Sequence, residues 1–195
     1  MKKSMLVLFA ALFLIAALTA CGEGENQDVE TVDLACCATG IAVRPTALLG
    51  ANSATYVSDD FIMTLNSDKL NYRRRDTIRI WGTLEYVGEN ETIKISHGCP
   101  FMVFSLTGNG FDLYGFQFHI STSSVLERGM VYHFDYQKTV SWDPRAPDAE
   151  FWENFANEPD LRLPRGEYTV TLTGSFSHSR KSSDDMIAEL TITVR

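Results

Sequence analysis

Leu161-Arg162-Leu163-Pro164-Arg165-Gly166-Glu167-Tyr168 decides how this 195-residue chain reads. Proline presets one backbone dihedral and glycine accepts conformations closed to other residues, so Pro164 and Gly166 mark a turn. Directly after it, Tyr168, Val170 and Leu172 alternate with Thr169, Thr171 and Thr173, ending at Gly174. A period of two assigns the apolar set to a buried face and the threonines to a solvated one, the pattern of an antiparallel strand.

The same period recurs outward from this point. Toward the C-terminus, Met186 to Val194 carries Ala188, Leu190, Ile192 and Val194 on one face. Toward the N-terminus, Met130, Tyr132, Phe134 and Tyr136 alternate with Val131, His133, Asp135 and Gln137. Phe61, Met63 and Leu65 open the series, with Asn66-Ser67-Asp68 as a turn, and Ile78, Ile80, Leu84 and Tyr86 continue it. Thr92 to His97 turns Ile93 and Ile95 inward; Phe101 to Leu106 is apolar on both faces. Gly108-Asn109-Gly110 reads as a hairpin turn into a strand from Phe111 to Ile120, where Phe116, Phe118 and Ile120 share a face. Only Asp148 to Asn157 reads as helix, started by Pro147 and Asp148. The expectation is an all-β antiparallel β-sandwich with one short helical insertion, a barrel being the alternative.

The turn that ends at Tyr168 resembles the Leu-x-Pro-x-Gly-x-Tyr turn that opens the F strand of many immunoglobulin-like domains, which favours the sandwich. The resemblance implies a tyrosine corner in which the Tyr168 hydroxyl bonds back to the turn around Pro164 and Gly166. From about Tyr56 to Arg195 the order of elements also resembles the BsuPI-type proteinase-inhibitor domains and related immunoglobulin-like bacterial lipoproteins.

Ahead of the strands the chain changes character. Lys2 and Lys3 precede an unbroken apolar run of 14 residues from Met5 to Leu18. That is the length of a signal-peptide core, whereas a membrane span needs about 20 residues. Leu18-Thr19-Ala20-Cys21 resembles a bacterial lipobox, which implies cleavage between Ala20 and Cys21 and a diacylglyceryl group on the Cys21 sulfur, with palmitate as a typical acyl chain. The expected organisation is a signal peptide over 1–20, a lipidated cysteine and flexible linker over 21–55, and the sandwich over 56–195. Glu23, Glu25, Asp28, Glu30 and Asp33 make the start of that linker acidic and poor in bulky apolar residues.

Without the leader, 15 basic residues face 25 acidic ones. A net charge of −10 argues against nucleic acid as a partner, and leaves membrane attachment to the acyl chains. Cys36, Cys37 and Cys99 then remain. An exported protein keeps disulfides, so Cys99 is expected to bridge to Cys36 or Cys37; fully reduced cysteines are the alternative.

Three sets of residues are candidates for function. The connection between the strands at Lys138 and Tyr168 carries Trp142, Phe151, Trp152 and Phe155, either a partner-binding loop or a cap on one end of the core. Cys36, Cys37, His97 and Cys99 hold the atom types of a zinc or copper(I) site, although His97 extends the inward face of Ile93 and Ile95. His119 and His133 fall on polar strand faces and His178 in a loop near Ser175, Ser177 and Ser179. Trp81 stands on a polar face beside Arg79 and Thr83, and Arg73-Arg74-Arg75 is a basic turn. No nucleophile elbow, phosphate loop, zinc helix or calcium loop occurs, and no cofactor is expected. The expected function is a non-enzymatic, lipid-anchored binding module on the extracytoplasmic face of a bacterial membrane, with a protein or envelope polymer as partner. The alternatives are a proteinase inhibitor presenting the 142–159 loop and a metal- or thiol-handling envelope protein.

Overall fold

The computed structural model describes residues 41–43, 52–178 and 186–195. Two sheets pack face to face. The first contains β1 (Ile41–Val43), β2 (Asn52–Val57), β3 (Phe61–Ser67), β5 (Ile80–Tyr86) and β9 (Val131–Asp135), in the order β1-β9-β5-β3-β2. The second contains β4 (Asn71–Tyr72), β6 (Thr92–Gly108), β7 (Phe111–Tyr114), β8 (Phe118–Glu127), β10 (Gly166–His178) and β11 (Met186–Val194). Its order is β4-β11-β10-β6, with β7 and β8 each pairing a different stretch of β6. Every strand pair is antiparallel except β4 with β11. The helix α1 (Ala149–Asn157) lies in the connection from β9 to β10. The immunoglobulin-like sandwich expected from the sequence is the fold observed.

The period-two faces meet in the middle. Met63 and Leu65 of β3, Leu84 and Tyr86 of β5, and Tyr132 and Phe134 of β9 face Ile95, Phe101 and Leu106 of β6, Tyr168, Val170 and Leu172 of β10, and Ile192 of β11. All are buried, and each large apolar side chain removed from water contributes about 1.5–3 kcal/mol. Gly82 leaves room for the facing sheet, since an added Cβ there would lie 2.7 Å from a Leu172 methyl. At the β6–β7 hairpin, Asn109 and Gly110 both have positive φ, 49° and 82°, the geometry of a two-residue turn that suits the strand twist.

Five expectations are corrected. Strands begin ahead of residue 56: β1 pairs with β9, and β2 starts at Asn52. Asn, Ser and Thr give β2 little apolar signal, and its pairing with β3 is what makes it a strand. Asn66 and Ser67 are not turn residues but the buried end of β3; the chain turns after them, at Asp68. Thr92–His97 and Phe101–Leu106 are one strand, β6. Pro100 has no N–H to donate, and the ladder absorbs it with register shifts against β8 between His97 and Cys99 and against β10 between Gly174 and Phe176. Conversely, Phe111–Ile120 is two strands, because β7 pairs with Ser105–Gly108 and β8 with Thr92–Cys99. His178 ends β10 rather than lying in a loop, its ring edge-on to Phe61 at 5.2 Å and its Nδ1 4.0 Å from Asp60.

Candidate functional site

The turn before β10 closes as a tyrosine corner requires. The Tyr168 hydroxyl donates to the Pro164 carbonyl at 2.9 Å. Asn109 Nδ2, from the β6–β7 turn, donates to the Arg165 carbonyl at 2.8 Å and to the Tyr168 hydroxyl at 3.1 Å. Two turns far apart in sequence are thereby tied together at one end of the sandwich. Desolvation holds the Tyr168 hydroxyl above its ordinary pKa.

The aromatic insertion sits at that same end. Phe111, buried, is the hub: the rings of Trp152, Phe155, Tyr168 and Phe151 stand edge-on to it at 5.1, 5.3, 5.7 and 6.0 Å. Edge-to-face packing at such distances is favourable beyond the area it buries. Asp148 begins α1 without capping it, and its carboxylate instead accepts the Trp152 Nε1 hydrogen bond at 2.8 Å. At the other end, Lys138 Nζ donates to the carbonyls of Phe155 and Glu158 and lies 4.7 Å from the Phe155 ring centroid. A cation there meets carbonyls that the helix leaves unpaired. Burial lowers the Lys138 pKa, with Glu158 and Asp160 opposing. Of the candidate binding residues, then, Phe155 is core, Trp152 is half-buried against it, and only Trp142 and Phe151 remain exposed. An α-helix over 149–157 does not offer the extended backbone a protease cleft takes, which leaves the inhibitor alternative residues 142–148 and 158–159.

The cysteine and histidine group divides. His97 is buried; its Nδ1 donates to the Gly98 carbonyl at 2.6 Å, and its Nε2 lies 2.8 Å from Ser124 Oγ, where it accepts. Burial lowers its pKa, so the ring is held neutral. Cys99 is disulfide-bonded. Its three possible partners, Cys21, Cys36 and Cys37, lie outside the described residues, as do Ala20, the lipobox and Asp184-Asp185. With both ring nitrogens of His97 engaged and Cys99 oxidised, two of the four proposed metal donors are already committed. Among the described residues no three of His, Cys, Asp or Glu gather as a metal ion requires.

A second feature is one that the sequence hid. Between β7 and β8, the alternate residues Tyr114, Phe116 and Phe118 are 64%, 60% and 57% exposed. The residues between them are the ones that hold the chain. An added Cβ on Gly115 would lie 2.3 Å from the Phe104 carbonyl oxygen, so the backbone here presses directly on β6. Gln117 Nε2 donates to the Pro100 and Ser175 carbonyls at 3.0 and 3.3 Å, and Ser175 Oγ donates to Gln117 Oε1 at 3.2 Å. Gly115 and Gln117 thus fix the segment, and the three rings are left outside, those of Phe116 and Phe118 edge-on at 4.9 Å. Phe116 and Phe118 do share a face, and it is the solvent face. The signal that marks it is the chemistry of the intervening residues: glycine and glutamine, where an outward face would carry charge.

On the outer face of the first sheet, Trp81 and His133 stack with centroids 6.5 Å apart, and Asn66 pairs across from Trp81. His133 Nε2 lies 2.9 Å from Asp135 Oδ1. Among the described residues, Asn66 Oδ1, Trp81 Nε1 and His133 Nδ1 are buried and have no hydrogen-bond partner. Arg73, Arg74 and Arg75 form an exposed turn, where the Arg73 backbone N–H donates to Asp76 at 3.1 Å. No protein-family model matches the chain, and no curated protein matches it in sequence.

Proposed function

We propose that this protein is a lipid-anchored binding module of a bacterial cell envelope, held through Cys21 on the extracytoplasmic face and acting by recognition rather than catalysis. The observation that supports it is the oxidised state of Cys99. A buried structural disulfide persists in an exported protein and not in a reducing cytosol, which agrees with a leader ending at Cys21. Cys36 or Cys37 is the proposed partner, so the bridge fastens the anchored segment to β6.

Replacing Cys21 tests this. Cys21→Ser is expected to leave uncleaved precursor or to release the protein from membranes, and alkylation before and after reduction should show two thiols gained. Unchanged processing and fractionation, or no gain of thiols, would count against it. For recognition, the exposed pair Trp142 and Phe151 is the place to substitute, since Phe155→Ala would perturb the core instead. A partner captured from the native envelope by the parent and lost with folded Trp142→Ala/Phe151→Ala would identify the ligand.

A further inference from the structure

We infer that Tyr114, Phe116 and Phe118 form the surface by which the domain lies against the lipid bilayer that carries its anchor, an assignment that rests on the anchoring proposed above. Three observations converge on it. The strip is presented by construction, since Gly115 and Gln117 hold the backbone while the rings between them stay in solvent.

It also lies beside a disulfide-bonded cysteine. Phe118 is the residue paired directly across from Cys99, and Cys99 is the disulfide-bonded residue. Every other cysteine falls between residues 21 and 37. From Cys21 to Cys36 there are 15 residues, whose fully extended length is at most about 50 Å. With Cys36 or Cys37 as the partner, the bridge ties the tether to the edge of the sheet on which the aromatic strip stands, and the lipidated residue is at most about 50 Å of extended chain away.

Finally, the chemistry suits a lipid interface. Two phenylalanines and a tyrosine give an apolar body with one polar tip, the composition that settles at the boundary of headgroups and acyl chains. Uncharged rings bind there despite the acidic net charge of the chain. Asp112 is the carboxylate beside the strip, and it takes the hydrogen bond of the Tyr114 hydroxyl, raising that group's pKa. The other exposed aromatics, Trp142 and Phe151, stand among Asp143, Arg145, Asp148 and Glu150, a charged setting suited to a polar partner.

The test uses the full lipidated protein with Phe116→Trp, an exchange at an exposed site, reconstituted into phosphatidylcholine–phosphatidylglycerol vesicles with brominated acyl chains. An interfacial side chain sits about 5–10 Å into the headgroup–acyl boundary, so about half of the emission added by the new indole should be lost to bromine. The same emission should be blue-shifted relative to the protein in solution. Emission quenched no more than that of the parent's tryptophans overturns the docking surface, as does a blue shift seen only in native membranes and never in vesicles, which assigns the strip to a protein partner. Mass analysis of the Cys21 fragment separates the two claims. With the diacylglyceryl group present and no quenching, docking fails and anchoring stands; without the group, anchoring fails and docking fails with it.

Discussion

Two aromatic regions of this protein have nearly the same composition and opposite environments. Around Phe111, the rings of Phe151, Trp152, Phe155 and Tyr168 close one end of the sandwich. A few residues beyond Phe111, Tyr114, Phe116 and Phe118 stand in water on the edge of the same sheet. Aromatic content alone therefore does not distinguish a core cap from a docking surface. The side chains that accompany it do: the cap is held through its aromatics, and the strip through the residues between its aromatics.

The comparison is broken most directly at its extremes. Phe155→Ala removes a ring that is only 7% exposed and should lower stability by about 3–5 kcal/mol, whereas Phe118→Ala should stay within about 0.5 kcal/mol of the parent. Denaturant unfolding at fixed pH reads both. Equal effects would mean that the two regions are not different in kind.

Gly115→Ala sharpens the claim that the strip is held by its backbone. Its Cβ would lie 2.3 Å from the Phe104 carbonyl oxygen, part of a strand that cannot yield as a side chain does. A loss of about 1–3 kcal/mol is expected, with faster hydrogen exchange across 114–118. Normal stability and exchange would show that the backbone is free to move away from β6.

Within β6, buried His97 adds a pH dependence. Its pKa in the fold is lowered, first by burial, so the folded state binds fewer protons than the unfolded chain below the usual histidine value near 6.5. Its contribution is thus complete above about pH 6.5 and declines as pH falls toward the lowered pKa, with a limiting slope of about 1.4 kcal/mol per pH unit. His97→Gln should flatten that part of the stability profile while the profile of Phe155→Ala keeps its shape. An unchanged slope in His97→Gln would assign it to another group.

The smallest of the expected losses belongs to a residue of the cap. Tyr168→Phe keeps the ring against Phe111 and removes the bond donated to Pro164 together with the one accepted from Asn109, whose amide keeps the Arg165 carbonyl, so a loss of about 1 kcal/mol is expected in the same unfolding assay. No loss would leave the aromatic packing, rather than the corner, as what orders this end.

Several features were legible locally because local chemistry dictates them. The Asn109-Gly110 turn needs residues that tolerate positive φ, α1 begins after Pro147-Asp148, and the alternation from Tyr168 to Leu172 permits one face inward. Asn66 and Ser67 were misread because their composition is that of a turn, while their position at the end of β3 is decided by pairing with β2 and β5. The candidate loop was half legible: its aromatics were evident, but which of them reach the core depends on where Phe111 stands.

By itself, then, the sequence determined the all-β character and the helix at Ala149–Asn157, since each follows from residues within a few positions of one another, and the resemblance of its Leu-Pro-Arg-Gly-Glu-Tyr turn implied the tyrosine corner. The tertiary structure decided the length of β6, the division of its edge between β7 and β8, and the outward face of Phe116 and Phe118. Side chains alternate along a strand with a period of two, so identical aromatics turn inward or outward according to the register of a distant partner, which the alternation of the aromatics does not itself record.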